Sequence, residues 1–313
     1  MVTYRKRAKN SYFACLGRCA RLLAGVLPLA LGGSAFCGGN ESREISPWEW
    51  FVPGAAEFSR GETGKGVLFS AGTAGLLGWG IYSEVKKDSG QLNAPLIYAQ
   101  QLYIIGIYDN YRSLYMDSGL ARYNRRFDPA PLSTLAAAPF SRELLNPWVL
   151  GALAVGAGLN FAIAKSDVKH GGYSGVSGIS YLGNSFNRDT GTAVLSAHWL
   201  VLSWGAGVSE EMLFRGIIQS QWEREWGDTA GLLSASALFG LAHIADPSSG
   251  DSWFSAGFAA AAGVYFGLRY RARNYTLSEV IAAHTWFDIA AGVSSFLADP
   301  EDNPLGAKIQ FAF

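Results

Sequence analysis

Charge is scarce in this sequence. Asp, Glu, Lys and Arg make up only 16% of its 313 residues, against about 25% in a soluble globular domain. The 25 basic residues equal the 25 acidic ones, so the basic excess of a nucleic-acid-binding surface is missing. A disordered chain combines low hydrophobicity with high net charge, and neither condition holds. Cysteine is scarce too: the three are Cys15, Cys19 and Cys37, with no Cys-x-x-Cys pair and no Cys/His zinc spacing. Neither a disulfide framework nor a structural zinc site is supported. The His-Glu-x-x-His pattern of one large zinc-protease class is absent, and no internal repeat of solenoid or propeller length is found.

What the chain has is apolar length. Hydrophobic residues reach 49%, with 38 Gly and 10 Trp, arranged as apolar runs between short polar stretches. That pattern predicts an all-α fold: a polytopic bundle of transmembrane helices in the cell membrane, of the multi-pass bacterial inner-membrane type. Residues 1–40 read as a signal peptide or signal anchor, with Arg and Lys before an apolar run and small residues after it. Residues 41–190 form an N-terminal membrane-associated accessory region, with spans near 66–83 and 148–164 and a softer apolar stretch at 94–108. Between these, residues 109–128 read as a membrane-flanking loop whose Tyr and Arg side chains meet headgroups. Residues 165–190, rich in Gly and Ser, read as irregular. A C-terminal core over 191–298 holds four apolar segments, 193–219, 229–245, 253–270 and 277–298, each near the ~20 residues of a span. Gly205 and Gly207 are candidate breaks in the first of these. Residues 299–313 form a tail. Arg269, Arg271 and Arg273 place the end of the third core segment on the cytoplasmic side.

Ionisable side chains inside such segments cost about 2.5–3.5 kcal/mol each and mark function by default. The core carries Glu210-Glu211-x-x-x-Arg215, Phe239-x-x-x-His243 and His284-x-x-x-Asp288. Residues four apart on a helix share a face, so Arg215 lies over Glu211, while Glu210 is turned about 100° away and left for chemistry. His284 and Asp288 likewise present two polar groups to one site, and Phe239 can pack on the His243 ring. If these helices converge, two imidazoles and carboxylates line one cavity within the membrane. A carboxylate beside an imidazole can activate water, and further donors can stabilise the oxyanion. The same nitrogen and oxygen donors suit a divalent metal such as zinc, so metal use stays open. Hydrolysis of an amide or ester bond is the reaction class.

In this order and spacing, the three motifs resemble those of the CPBP intramembrane proteases, also called ABI or CAAX-protease-like. That family includes the type II CAAX prenyl endopeptidases and bacteriocin-processing and immunity proteins. The resemblance covers residues 190–298, about a third of the chain. It implies an all-helical membrane fold and an intramembrane endopeptidase acting on membrane-associated protein or peptide substrates. Carried over, Glu210 is the general base together with His243, His284 and Asp288 occupy the oxyanion-stabilising positions, and Glu211 and Arg215 orient the first motif. The family is commonly labelled metalloendopeptidase, while its CAAX branch implies a metal-independent glutamate mechanism. Asp288 stands where the family often has Asn. Asn donates to an oxyanion, whereas ionised Asp only accepts.

Rival readings are weaker. Two Gly-x-Ser-Gly matches at 172–178 suggest a rhomboid-type serine protease, but they lie in a polar Gly/Ser stretch. Gly61-Glu-Thr-Gly-Lys-Gly66 lacks the spacing and the Ser/Thr of a phosphate loop. The alternative from another class is a non-catalytic membrane scaffold or immunity-type protein of the same family.

Overall fold

A computed structural model describes residues 49, 52–85, 93–117, 126–165, 172–181, 183–244, 250–301, 303 and 307–311. The targeting segment expected over 1–40, with its cysteines, lies outside them.

The described chain is mostly helical. It runs α1 (Ala55–Ser59), α2 (Thr63–Val85), α3 (Asn93–Asp117), α4 (Leu132–Ala137) and α5 (Pro147–Lys165). A hairpin follows, β1 (Val176–Tyr181) and β2 (Asn184–Asn187), then α6 (Arg188–Glu211), which continues as a π-helix over Met212–Gln219. The chain ends with α7 (Ser220–Trp226), α8 (Asp228–Ala242), α9 (Gly250–Ala272), α10 (Ser278–Ala298) and β3 (Lys308–Phe311). Short 3₁₀ turns at Ala138–Phe140 and Arg142–Leu145 join α4 to α5.

Local chemistry sets several boundaries. Pro147 opens α5, its missing N–H costing nothing at a helix start, and the Asn146 side chain accepts from the Trp148 amide at 3.0 Å. Asn187 caps α6 in the same way, accepting from the Thr190 amide at 2.8 Å. In the π-helical stretch, where the turn is too wide for ordinary bonding, Ser220 Oγ donates to the Arg215 carbonyl five residues back.

The described chain divides into two compact units: residues 111–117, 126–129, 212–244 and 250–277 belong to the smaller, and the described residues of Ser46–Asn110, Ala130–Glu211 and Ser278–Phe313 to the larger. Both are discontinuous, and the larger takes helices from both the expected accessory region and the expected core.

In the larger unit α10 is central, packed by α5 on one side and α6 on the other. Glycines permit the approach. A Cβ on Gly156 of α5 would strike the Phe287 carbonyl, and one on Gly292 of α10 would overlap the Trp199 ring of α6. The sheet, ordered β2-β1-β3 and antiparallel throughout, packs Val176, Ile179 and Tyr181 against Leu195 of α6 and Phe296 of α10. In the smaller unit, α8 packs on α9, with Gly240 against the Ala256 carbonyl and Gly263 against Ser236. Arg126 and Arg271 both reach Asp228, at 2.6 and 3.1 Å.

Four expectations change. The stretch at 165–190 holds a β-hairpin, because Val176, Ile179 and Tyr181 alternate well enough to bury one face. The tail supplies that sheet's third strand. Residues 109–117 continue α3 instead of forming a loop, and Tyr111 and Tyr115 are buried in a stack with Phe127. Gly205 and Gly207 do not break α6; they make room for Gln101 of α3 and Thr285 of α10. As for the polytopic expectation, α10 is, among the described residues, the one helix long and apolar enough to cross a membrane. Residues 147–159 and α8 are shorter apolar helices.

Candidate active site

The last turn of α6 and the second turn of α10 build the cluster. Gly207 lies one turn before Glu210 and Glu211, and a Cβ there would meet the hydroxyl and amide of Thr285 and the Ile281 carbonyl. This bare patch lets α6 press directly on α10 beside His284.

Glu211 is fully buried and His284 nearly so, and Nδ1 of the imidazole lies 2.7 Å from Glu211 Oε1. A carboxylate can only accept, so Nδ1 carries the proton and donates it to Glu211. That fixes the tautomer and directs Nε2 the other way. Glu210 and Asp288 face that outer nitrogen, with Glu210 Oε2 at 3.9 Å and Asp288 Oδ2 at 3.5 Å from Nε2. Both are partly open, with side-chain exposures of 30% and 29%. The cluster is therefore an inner buried pair, Glu211 and His284, beneath an outer accessible pair, Glu210 and Asp288. Separations of 3.5–3.9 Å around Nε2 are too long for strong direct hydrogen bonds and suit bridging by a water or a substrate atom.

Arg215 and His243 belong to the smaller unit. The buried Arg215 guanidinium donates to the Gly263 carbonyl at 3.1 Å and lies over the rings of Phe239, at 4.5 Å, and Phe266, at 5.4 Å. Such stacking and carbonyl contact hold an arginine rigidly in low-dielectric surroundings. His243 is the C-cap of α8, not a mid-helix residue, and is exposed. Its Nδ1 lies 2.7 Å from the Phe239 carbonyl and its ring packs on Phe239 at 4.6 Å, as the spacing predicted. Since a carbonyl only accepts, Nδ1 donates and Nε2 is left as the basic nitrogen.

Sequence reasoning gave Glu211 to Arg215 and did not foresee its bond to His284. The partners stand 73 residues apart, and helical spacing sees only neighbours within two turns. Among the described residues, no group of three or more His, Cys, Asp or Glu side chains is arranged to hold a metal ion.

With this geometry in view, the comparisons are specific. Residues 192–290 match the family model described as Rce1-like, type II CAAX prenyl endopeptidase. The matched stretch, about a third of the chain, contains all three motifs, and over these residues the chain is similar to the CPBP/CAAX-protease family. The chain has no significant match among curated proteins or solved structures.

Proposed function

We propose that the protein is a multi-pass intramembrane endopeptidase that hydrolyses peptide bonds of membrane-associated protein or peptide substrates. The observation that carries this is the two-layer cluster: an imidazole fixed from behind by Glu211, with two accessible carboxylates at its outer nitrogen. In this reading Glu210 takes a proton from the attacking water and returns it to the leaving amine as the C–N bond breaks. When protonated, His284 donates from both nitrogens, to Glu211 and toward the oxygen on which charge develops. Before substrate binds, Asp288 Oδ2, 3.5 Å from Nε2, is a weak acceptor for that N–H, which then turns to the developing oxyanion.

Several membrane spans are supported by where apolar side chains are exposed. Val67, Leu68, Leu77 and Ile81 on α2, Trp148, Leu150, Val155 and Phe161 on α5, and Leu233 and Leu241 on α8 face outward. Patches of this kind mark contact with a membrane or a partner. The family match favours a protease over the scaffold reading, and the scaffold makes its own prediction: it would tolerate Glu210→Gln.

The test is the native chain, purified and reconstituted in lipid vesicles, with a library of membrane-anchored fluorogenic peptides. Native protein should cleave a subset, and Glu210→Gln should lose that cleavage while inserting normally. Equal turnover by the two would overturn the mechanism.

A further inference from the structure

We propose that residues 131–146 act as a clamp that sets the rotation and register of α10 against α6. Trp204 and Trp286 are its positioning residues. The proposal rests on reading Glu210, Glu211, His284 and Asp288 as the reactive cluster. Residues 131–146 lie outside the stretch matched by the family model, so that match gives them no role.

The geometry is specific. The Trp204 indole of α6 donates to the Ala136 carbonyl at 2.8 Å. The Trp286 indole of α10 donates to the Pro139 carbonyl at 2.7 Å. Two helices far apart in sequence thus hang from carbonyls three residues apart on one short helical segment. That segment is fastened again where it ends, Asn146 Nδ2 donating to Glu279 Oε2 in the first turn of α10 at 2.6 Å. Phe140 meets the Trp286 ring edge-on at 6.5 Å.

Trp286 lies two residues from both His284 and Asp288, about 200° around the helix from each. Its bond therefore holds the back of the turn whose front carries the two polar groups. Trp204 is seven residues before Glu211, two turns down the same stripe of α6. Rotating α10 to move His284 from Glu211 would pull Trp286 off Pro139. The two helices also meet directly, through Gly207 on Thr285 and through Trp199 of α6, which seats on Gly292 and donates to the Asp288 carbonyl at 2.9 Å. The Trp204 and Trp286 indoles add a second tie, through residues 131–146, on the other face of that turn of α10.

The experiment uses the full chain in lipid vesicles, with Cys15, Cys19 and Cys37 replaced by Ser. Spin labels go on Val201→Cys of α6 and Val293→Cys of α10, both exposed positions. Trp204→Phe and Trp286→Phe keep a ring and remove the N–H. Each should broaden and shift the interlabel distance, and the double variant should add little beyond either single one, since both act through the same segment. In the active enzyme each should lower kcat about a hundredfold, as an atomic misplacement of order 1 Å does, with KM unchanged. An unchanged distance distribution overturns the clamp. So does a broadened one with full kcat. A broadened distribution in a chain whose native form cleaves nothing supports the clamp and removes the proposed function instead.

Discussion

Around Asp109 in the larger unit, cations answer the carboxylates. Arg60 hydrogen-bonds Glu62 and Asn110, and Lys65 bridges Glu62 and Asp109 at 3.2 and 2.9 Å. Around His284, three carboxylates instead come within 3.9 Å of one imidazole. The first arrangement pairs charge with charge and is a structural network. The second packs like charges around a group that can gain or lose a proton, the kind of arrangement that marks a candidate functional site. Burial draws the Glu62 carboxyl upward, but hydrogen bonds from Arg60 and Lys65 outweigh it and hold the group below its ordinary value. Burial pushes the Glu57 carboxyl up, with Arg60 only partly opposing.

The comparison can be broken at the His284 end with large effects. Glu210→Ala should cut cleavage at least about a hundredfold, the low end of general-base catalysis, with insertion unchanged in a membrane-fraction assay. His284→Ala should abolish activity and destabilise the fold by about 3–5 kcal/mol, because Glu211 is left buried without its imidazole; thermal unfolding in detergent would read this. Gly207→Val should cost about 1–3 kcal/mol and lower turnover by prying α6 from α10. Asp288→Asn sharpens the comparison: an orienting acceptor is preserved by the Asn oxygen, so activity should stay within about tenfold, while Asp288→Ala should lose more. Should Asp288→Asn instead abolish turnover as fully as Asp288→Ala, Asp288 would be a proton carrier.

The smallest effects on activity belong to the Asp109 end. Lys65→Met should cost about 1–3 kcal/mol, since Lys65 is a third exposed but Asp109 is fully buried and keeps Arg60 at 3.7 Å, and should leave kcat unchanged. A carboxyl held low in the folded state contributes stability that is complete above its unfolded value and is lost as pH falls through the folded one. Glu62→Gln should therefore flatten the acid limb of a stability-against-pH curve without moving the activity profile.

What could be read from sequence divides along the same physical line. The helices announced themselves, because apolar length and boundary residues are local: the expected 148–164, 229–245 and 277–298 segments fall within or nearly within α5, α8 and α10. The site residues were visible as ionisable groups in apolar surroundings, and the His243–Phe239 contact followed from spacing four. The link from Glu211 to His284 was not visible, and neither was the hang of Trp204 and Trp286 on Ala136 and Pro139. Each joins positions more than 65 residues apart, and no local periodicity encodes such a pairing. The strand β1 was missed because Gly and Ser dilute its alternation. The burial of Tyr111 and Tyr115 was missed because Tyr and Arg serve headgroups and protein interiors equally well.

Cells expressing the native chain and cells expressing Glu210→Ala at equal level are compared for the termini of their membrane proteins. The account predicts new termini, at sites in or beside membrane segments, that appear with the native chain and vanish with the variant. Identical termini in both, alongside a phenotype that the Glu210→Ala chain still rescues, would contradict it and make the scaffold the better reading.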